Sequence, residues 1–189
     1  MHHAQSGTGS LAATALRHFD QAELKLCCML NRTSGFTGVR ALFRAVSWLG
    51  NGWIWYAMLL WLPIAYGSHT WPVSLHMALT AGAGALVYTA IKHHTVRERP
   101  YIAHAAIRCG APPLDRYSFP SGHTLHAVSF TLMMMHHFPE WTAVLVAFTV
   151  LVALSRMVLG LHYPSDVAAG ALIGAMLATA SLKLASLFG

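Results

Sequence analysis

Long runs without charge dominate this chain and restrict its fold more than any other feature. Five stretches approach the roughly 20 apolar residues that a helix needs to cross a bilayer. They are Gly52–Gly67, Pro72–Ile91, Ser121–Phe138, Trp141–Leu159 and Asp166–Leu187. In hydrocarbon a segment must satisfy its own backbone polar groups, so such runs fold as helices. The pattern predicts an all-α, integral membrane helical bundle of about five transmembrane helices. Charged residues make up 10% of the 189, against about 25% in soluble domains. Trp53, Trp55, Trp71 and Trp141 lie near the proposed span ends, where aromatic side chains bridge lipid and water. "AGAGA" at Ala81–Ala85 and "AAGALIGA" at Ala168–Ala175 supply the small residues that let helices pack closely, within one subunit or between two.

The first 49 residues differ in character. "FDQAELKLCCML" and "VRALFRAVSWLG" mix charge with apolar residues at helical spacing. Arg40 and Arg44 share one side, while Leu42, Phe43, Val46 and Leu49 cover another. This predicts amphipathic helices lying in the membrane interface, and divides the chain into residues 1–49 and a membrane domain over 50–189. The opening "MHHAQSGTGSLAATALRHF" lacks the apolar core of a signal peptide. Its His2 and His3 suit an added tag as well as a natural terminus. Cys27, Cys28 and Cys109 have neither the number nor the spacing of a disulfide framework or a zinc site, and read as packing residues.

Net charge is +6 with histidine neutral, which suits phosphates or acidic lipid headgroups as partners. Nucleic acid is not expected, because the chain lacks the polar surface of a basic groove. With five spans, residues 92–120 and 160–165 fall on one membrane face. The opposite connections, around Ser68–Trp71 and Phe138–Glu140, carry no Lys or Arg. Positive charge therefore gathers at one end of the bundle.

Three polar clusters meet at that end. "KHHTVRERP" brings Lys92 and Arg99, "PSGH" brings Ser121, Gly122 and His123, and "SRMVLGLHYPSD" brings Arg156, His162 and Asp166. Lys92, Arg99 and Arg156 can neutralise a phosphoryl group as charge shifts in a transition state. Ser121 and the Gly122 N–H, at a helix start, can hold a phosphoryl oxygen. His123 and His162 can divide the roles of acid and nucleophile. Asp166, four residues after His162, can accept its Nδ1–H and leave Nε2 free to attack. His126, one turn beyond His123, and Tyr163 are candidates for a supporting layer around the pocket.

These segments resemble the three signature motifs of the type 2 phosphatidic acid phosphatase superfamily: K-x6-RP, PSGH and SR-x5-H-x3-D. All eleven fixed positions are present in order, between Lys92 and Asp166. The resemblance implies a hydrolase of phosphomonoesters or pyrophosphates that needs no metal or other cofactor. It makes His162 the nucleophile through a phosphohistidine, His123 the acid for the leaving oxygen, and Asp166 the support of His162. Lys92, Arg99, Ser121, Gly122 and Arg156 would bind the phosphoryl oxygens. Membrane-embedded members act on lipid phosphates. Undecaprenyl diphosphate is the expected substrate, with phosphatidylglycerophosphate or phosphatidate as alternatives. Similar bacterial enzymes sit in the inner membrane with this site toward the periplasm or outer surface. The positive-inside rule alone would place it in the cytoplasm.

Other classes fit less well. A metal hydrolase using His123, His126, His162 and Asp166 would place a divalent cation among three positive side chains. A vanadium haloperoxidase shares the anion site but is soluble as far as the resemblance informs. A non-enzymatic lipid-binding or scaffold protein would give the three motifs no chemistry to perform.

Overall fold

The fold was described from a computed structural model covering residues 7–188, with side chains described for 13–187. His2 and His3 lie outside the described residues. Every extended element among the described residues is helical. In chain order these are α1 (Gly7–Thr33), α2 (Thr37–Trp48), α3 (Ile54–Tyr66), α4 (Trp71–Thr95), α5 (Pro100–Ala103), α6 (Gly122–His137), α7 (Thr142–Val158) and α8 (Pro164–Phe188). A wider turn over Leu49–Trp53 joins α2 to α3, and the helical path breaks at Gly52, whose φ of 117° suits glycine.

Among the described residues, three helical stretches are long and apolar enough to cross a membrane: Ser68–Thr95, Pro139–Val158 and Pro164–Leu187. The other two expected spans, α3 and α6, are shorter, at 13 and 16 residues. α6 sits at the centre and packs against α4, α7 and α8. Its buried residues, among them Leu125, Phe130, Met133 and Met134, form the middle of the core with Trp55, Leu62 and Met77. Trp55 stacks flat on Phe130 with ring centroids 5.1 Å apart. Leu60, Ile64, Leu79, Leu86, Val144 and Leu172 point outward and exposed. A bundle with this outer surface is stable in lipid rather than water. At the end away from the motifs, Trp141 Nε1–H donates to the Tyr66 hydroxyl, which itself donates to Glu140. Of the tryptophans expected at span ends, Trp53 and Trp71 are exposed, whereas Trp55 is buried in the core against Phe130.

The two small-residue stretches have different uses. A side chain at Gly174 would run into the Leu125 carbonyl, and one at Gly170 into the Ser121 carbonyl, so the glycines of α8 set its close approach to α6. On α4 only Gly84 does this, against Leu125. Gly82 has open space before it, and with Ala81 and Ala85 it lines a cavity.

α1 and α2 are not detached from the bundle. α1 packs on α7 and α8, and α2 on α7. Glu23, Cys27 and Asn31, spaced four residues apart on α1, form a buried inward stripe. The Asn31 side-chain amide donates to the Arg108 and Val158 carbonyls, and the Arg108 N–H donates back to its oxygen. The polar residues of α1 thus tie it to the connections at the motif-bearing end.

Gly174→Val should force α8 off α6 and lower the unfolding temperature in detergent, at the roughly 1–3 kcal/mol scale of overpacking. Gly82→Ala should leave the melting curve unchanged to within experimental scatter. Thermal denaturation followed by circular dichroism compares the two, and equal melting would refute the packing assignment.

Candidate active site

The three motifs reach one place because of where their helices begin and end. Lys92 lies in the last turn of α4, and Arg99 precedes α5. His123 is in the first turn of α6, Arg156 in the last turn of α7, and Asp166 in the first turn of α8. The Ser121 N–H donates to the Asp166 carbonyl at 3.0 Å, which joins the starts of α6 and α8. The starts of α6 and α8 therefore lie side by side, with the Gly122 end of α6 at the site.

A cavity of about 470 Å³ opens there. Lys92, Arg99, Gly122, His123, His126, Arg156 and His162 all line it. Three of the expected residues sit behind its wall instead. Ser121 is fully buried, its hydroxyl 3.0 Å from that of Thr124, as befits a residue at a helix start. The Tyr163 ring turns toward Cys27 and Ile107. Asp166 is fully buried beneath His162. From the cations the cavity runs along a lane of Ala78, Ala81, Gly82 and Ala85 on α4, facing Trp55 and Leu59 of α3.

His162 is 2% exposed, and its ring nitrogens have different surroundings. Arg99 Nη1 lies 3.2 Å from Nε2. Arginine only donates, so Nε2 carries the lone pair and Nδ1 the proton. Nδ1 has no hydrogen-bond partner and lies 3.7 Å from Asp166 Oδ2, beyond hydrogen-bond length. Asp166 uses its oxygens elsewhere: Oδ2 accepts from the Tyr163 N–H at 2.8 Å and Oδ1 from Arg97 Nη1 at 2.7 Å. Burial, then the charges of Arg156, Arg99 and Lys92, push the His162 pKa well below that of free imidazole. The ring is thus neutral, with a nucleophilic lone pair directed among cations.

The cations are unequally satisfied. Arg99, 1% exposed, donates to the Asp115 and Leu161 carbonyls and to Asp115 Oδ1, each at 2.9 Å. Arg156, 3% exposed, has one hydrogen bond from its guanidinium, to the Ser47 hydroxyl, and its Nε is unpaired. A buried guanidinium with free donors facing a cavity is a site prepared for an anion. Lys92 Nζ donates to Asp115 Oδ2 at 2.5 Å.

Asp115, Arg97, Glu23 and Ser47 are the functional neighbours that motif spacing does not reveal. Asp115 comes from the loop between the first two motifs and bridges two expected phosphate ligands, Lys92 and Arg99. Burial alone would raise its pKa. The Lys92 hydrogen bond and the two positive charges outweigh that and hold the carboxyl below its usual range. It therefore stays an anion at neutral pH, placed on the cations that a phosphoryl group would use. Arg97, inside the first motif but not one of its fixed positions, spans Glu23 and Asp166. Among the described residues, no three His, Cys, Asp or Glu side chains converge as ligands for a metal ion.

A buried neutral imidazole, three clustered cations of which Arg156 lacks a full set of partners, and the start of α6 line one cavity of an apolar bundle, the arrangement of a membrane phosphatase. The chain belongs to the PAP2 superfamily, whose family model matches residues 73–188. It is 34% identical over 145 residues to the decaprenylphosphoryl-5-phosphoribose phosphatase of Mycobacterium tuberculosis, covering 73% of this chain and 76% of that one. It is 37% identical over 75 residues to an undecaprenyl-diphosphatase of Sulfolobus acidocaldarius, covering 39% and 36%. The fold is similar to the crystal structure of Aquifex aeolicus LpxE, with TM-score 0.75, 26% identity, and coverage of 85% of this chain and 94% of that one. It is also similar to a PAP2 type phosphatidylglycerolphosphate phosphatase from Bacillus subtilis, with TM-score 0.73, 21% identity, and coverage of 93% and 88%.

If Asp115 stands where a phosphoryl oxygen docks, Asp115→Asn should tighten vanadate binding by roughly 3- to 10-fold, the scale of one partly exposed ion pair. Calorimetric titration of the purified protein measures this, and weaker binding would show that Asp115 supports the anion site.

Proposed function

We propose that the protein removes the terminal phosphate from a polyprenyl-linked phosphate, and that undecaprenyl diphosphate is the leading substrate. The observation carrying this reading is the shape of the cavity, cationic at one end and apolar along the α3–α4 lane. A phosphate can reach Lys92, Arg99 and Arg156 while its hydrocarbon tail remains at membrane depth. A lipid-linked sugar phosphate is the second reading, favoured by the long match to a decaprenylphosphoryl-5-phosphoribose phosphatase. Phosphatidylglycerophosphate and phosphatidate are the remaining alternatives.

In the proposed reaction, Lys92, Arg99, Arg156 and the Gly122 N–H hold the phosphoryl oxygens, while Ser121, expected to join them, lies behind the wall with its hydroxyl against that of Thr124. The His162 Nε2 lone pair attacks phosphorus, and the bond to the leaving oxygen breaks as His123 gives that oxygen a proton. His123 then takes a proton from water, whose oxygen displaces His162 and releases inorganic phosphate. Asp166 steadies the positive charge that His162 acquires in the phosphohistidine. His126 lines the pocket beside His123. Tyr163 contributes through its backbone N–H to Asp166. Each step uses only side chains and backbone N–H groups of this chain and water.

Phosphate release from a purified panel of undecaprenyl diphosphate, polyprenyl-phosphoryl pentose phosphate, phosphatidylglycerophosphate and phosphatidate tests the substrate. The polyprenyl compounds should turn over at least about tenfold faster by kcat/KM, a difference of about 1.4 kcal/mol. His162→Ala should abolish turnover while lipid still binds, and turnover should survive EDTA. Activity lost to chelator and restored by zinc would overturn the reaction.

We place the protein in the bacterial plasma membrane with the site toward the outer side. Cys109 is exposed on the motif-bearing loop and reports on this directly. A membrane-impermeant maleimide should label it in intact cells, with Cys109→Ser as control. Labelling only after lysis would put the site inside.

A further inference from the structure

α1 lies outside the three motifs, yet it places a carboxylate behind the nucleophile. Glu23 is 6% exposed. Its Oε2 accepts from Arg97 Nη2 at 2.7 Å and its Oε1 from the Ser165 N–H at 2.7 Å, in the first turn of α8. Arg97 uses its other nitrogen for Asp166 Oδ1 and the Ser165 hydroxyl, both at 2.7 Å. Its guanidinium lies 4.1 Å from the centre of the Tyr163 ring, which fixes its plane. A chain of charge-assisted hydrogen bonds thus runs from α1 through Arg97 to the carboxylate beneath His162.

The chain has an electrostatic consequence. Arg97 paired with Asp166 alone would cancel the negative charge that His162 needs behind it. Two carboxylates around one guanidinium leave a net charge of −1 there. That surplus opposes the positive field of Lys92, Arg99 and Arg156 at the moment when His162 itself becomes cationic.

We propose that Glu23 is a positioning residue for phosphoryl transfer: it holds Arg97 and the start of α8 so that Asp166 remains aligned and negatively charged behind His162. This rests on the proposed role of His162 as nucleophile. Glu23 touches no substrate. It lies behind the cavity wall, so its loss should slow the step without weakening the docking of substrate.

The test uses the full-length purified protein with whichever lipid phosphate of the panel turns over, and His162→Ala beside it. Glu23→Gln keeps the shape and removes the charge. Its kcat should fall about 10- to 100-fold, as for a small misplacement of a reacting group, with KM unchanged and a melting temperature near that of the parent. Turnover surviving in His162→Ala overturns the nucleophile reading and this proposal with it. Turnover lost in His162→Ala but unchanged in Glu23→Gln overturns this proposal alone. A parallel rise in KM or a large drop in melting temperature would assign Glu23 to packing only.

Discussion

Burying positive charge without a full set of partners is the constraint on which this structure depends. Arg99 and Arg156 are withdrawn from water at the rim of a bundle that is otherwise apolar. Isolated burial of a cation costs several kcal/mol even after relaxation. Arg99 offsets that cost with two carbonyls and one carboxylate, whereas Arg156 makes a single bond to Ser47. Such an arrangement persists because helices packed through α6 and α8 hold it in place. In the proposed reaction an incoming phosphate is the partner that Arg156 lacks, while Asp115 already occupies Lys92 and Arg99.

The same field determines the state of His162. Surrounded by cations and excluded from water, its imidazole stays neutral and keeps a lone pair on Nε2. Forming a bond from that nitrogen creates positive charge in a positive environment, which is unfavourable unless something negative lies behind it. In the proposed reaction Asp166 is that group, and its placement depends on the Tyr163 backbone, Arg97 and, through Arg97, on α1. The motif-bearing end is therefore built with α1 and α2 as well as α4, α6, α7 and α8, and not from the motif-bearing segments alone.

Much of this was legible in the sequence. The apolar runs placed α3, α4, α6, α7 and α8 to within a few residues, because bilayer crossing imposes one length and one conformation. The motif spacing identified Lys92, Arg99, His123, Arg156 and His162, all of which line one cavity. Glu23 was not legible, since a single acid on an amphipathic helix reads as a solvated face. Its stripe with Cys27 and Asn31 carried a signal only once a partner surface was known. Asp115 was hidden for the same reason, in a loop whose path no periodicity describes. The small residues of α4 suggested helix packing, yet most of them leave room for the cavity.

What the sequence determined by itself was the solvent, the helical class and the chemistry. Hydrophobicity, backbone satisfaction and residue type are local properties of the chain. What only the tertiary structure decided was which oxygens and nitrogens face each other. It set the His162 to Asp166 separation of 3.7 Å, the seat of Asp115 on two cations and the reach of α1 to Asp166. Those are relations between residues up to 143 positions apart (Glu23 to Asp166). They depend on how side chains fill space, and no local pattern encodes that.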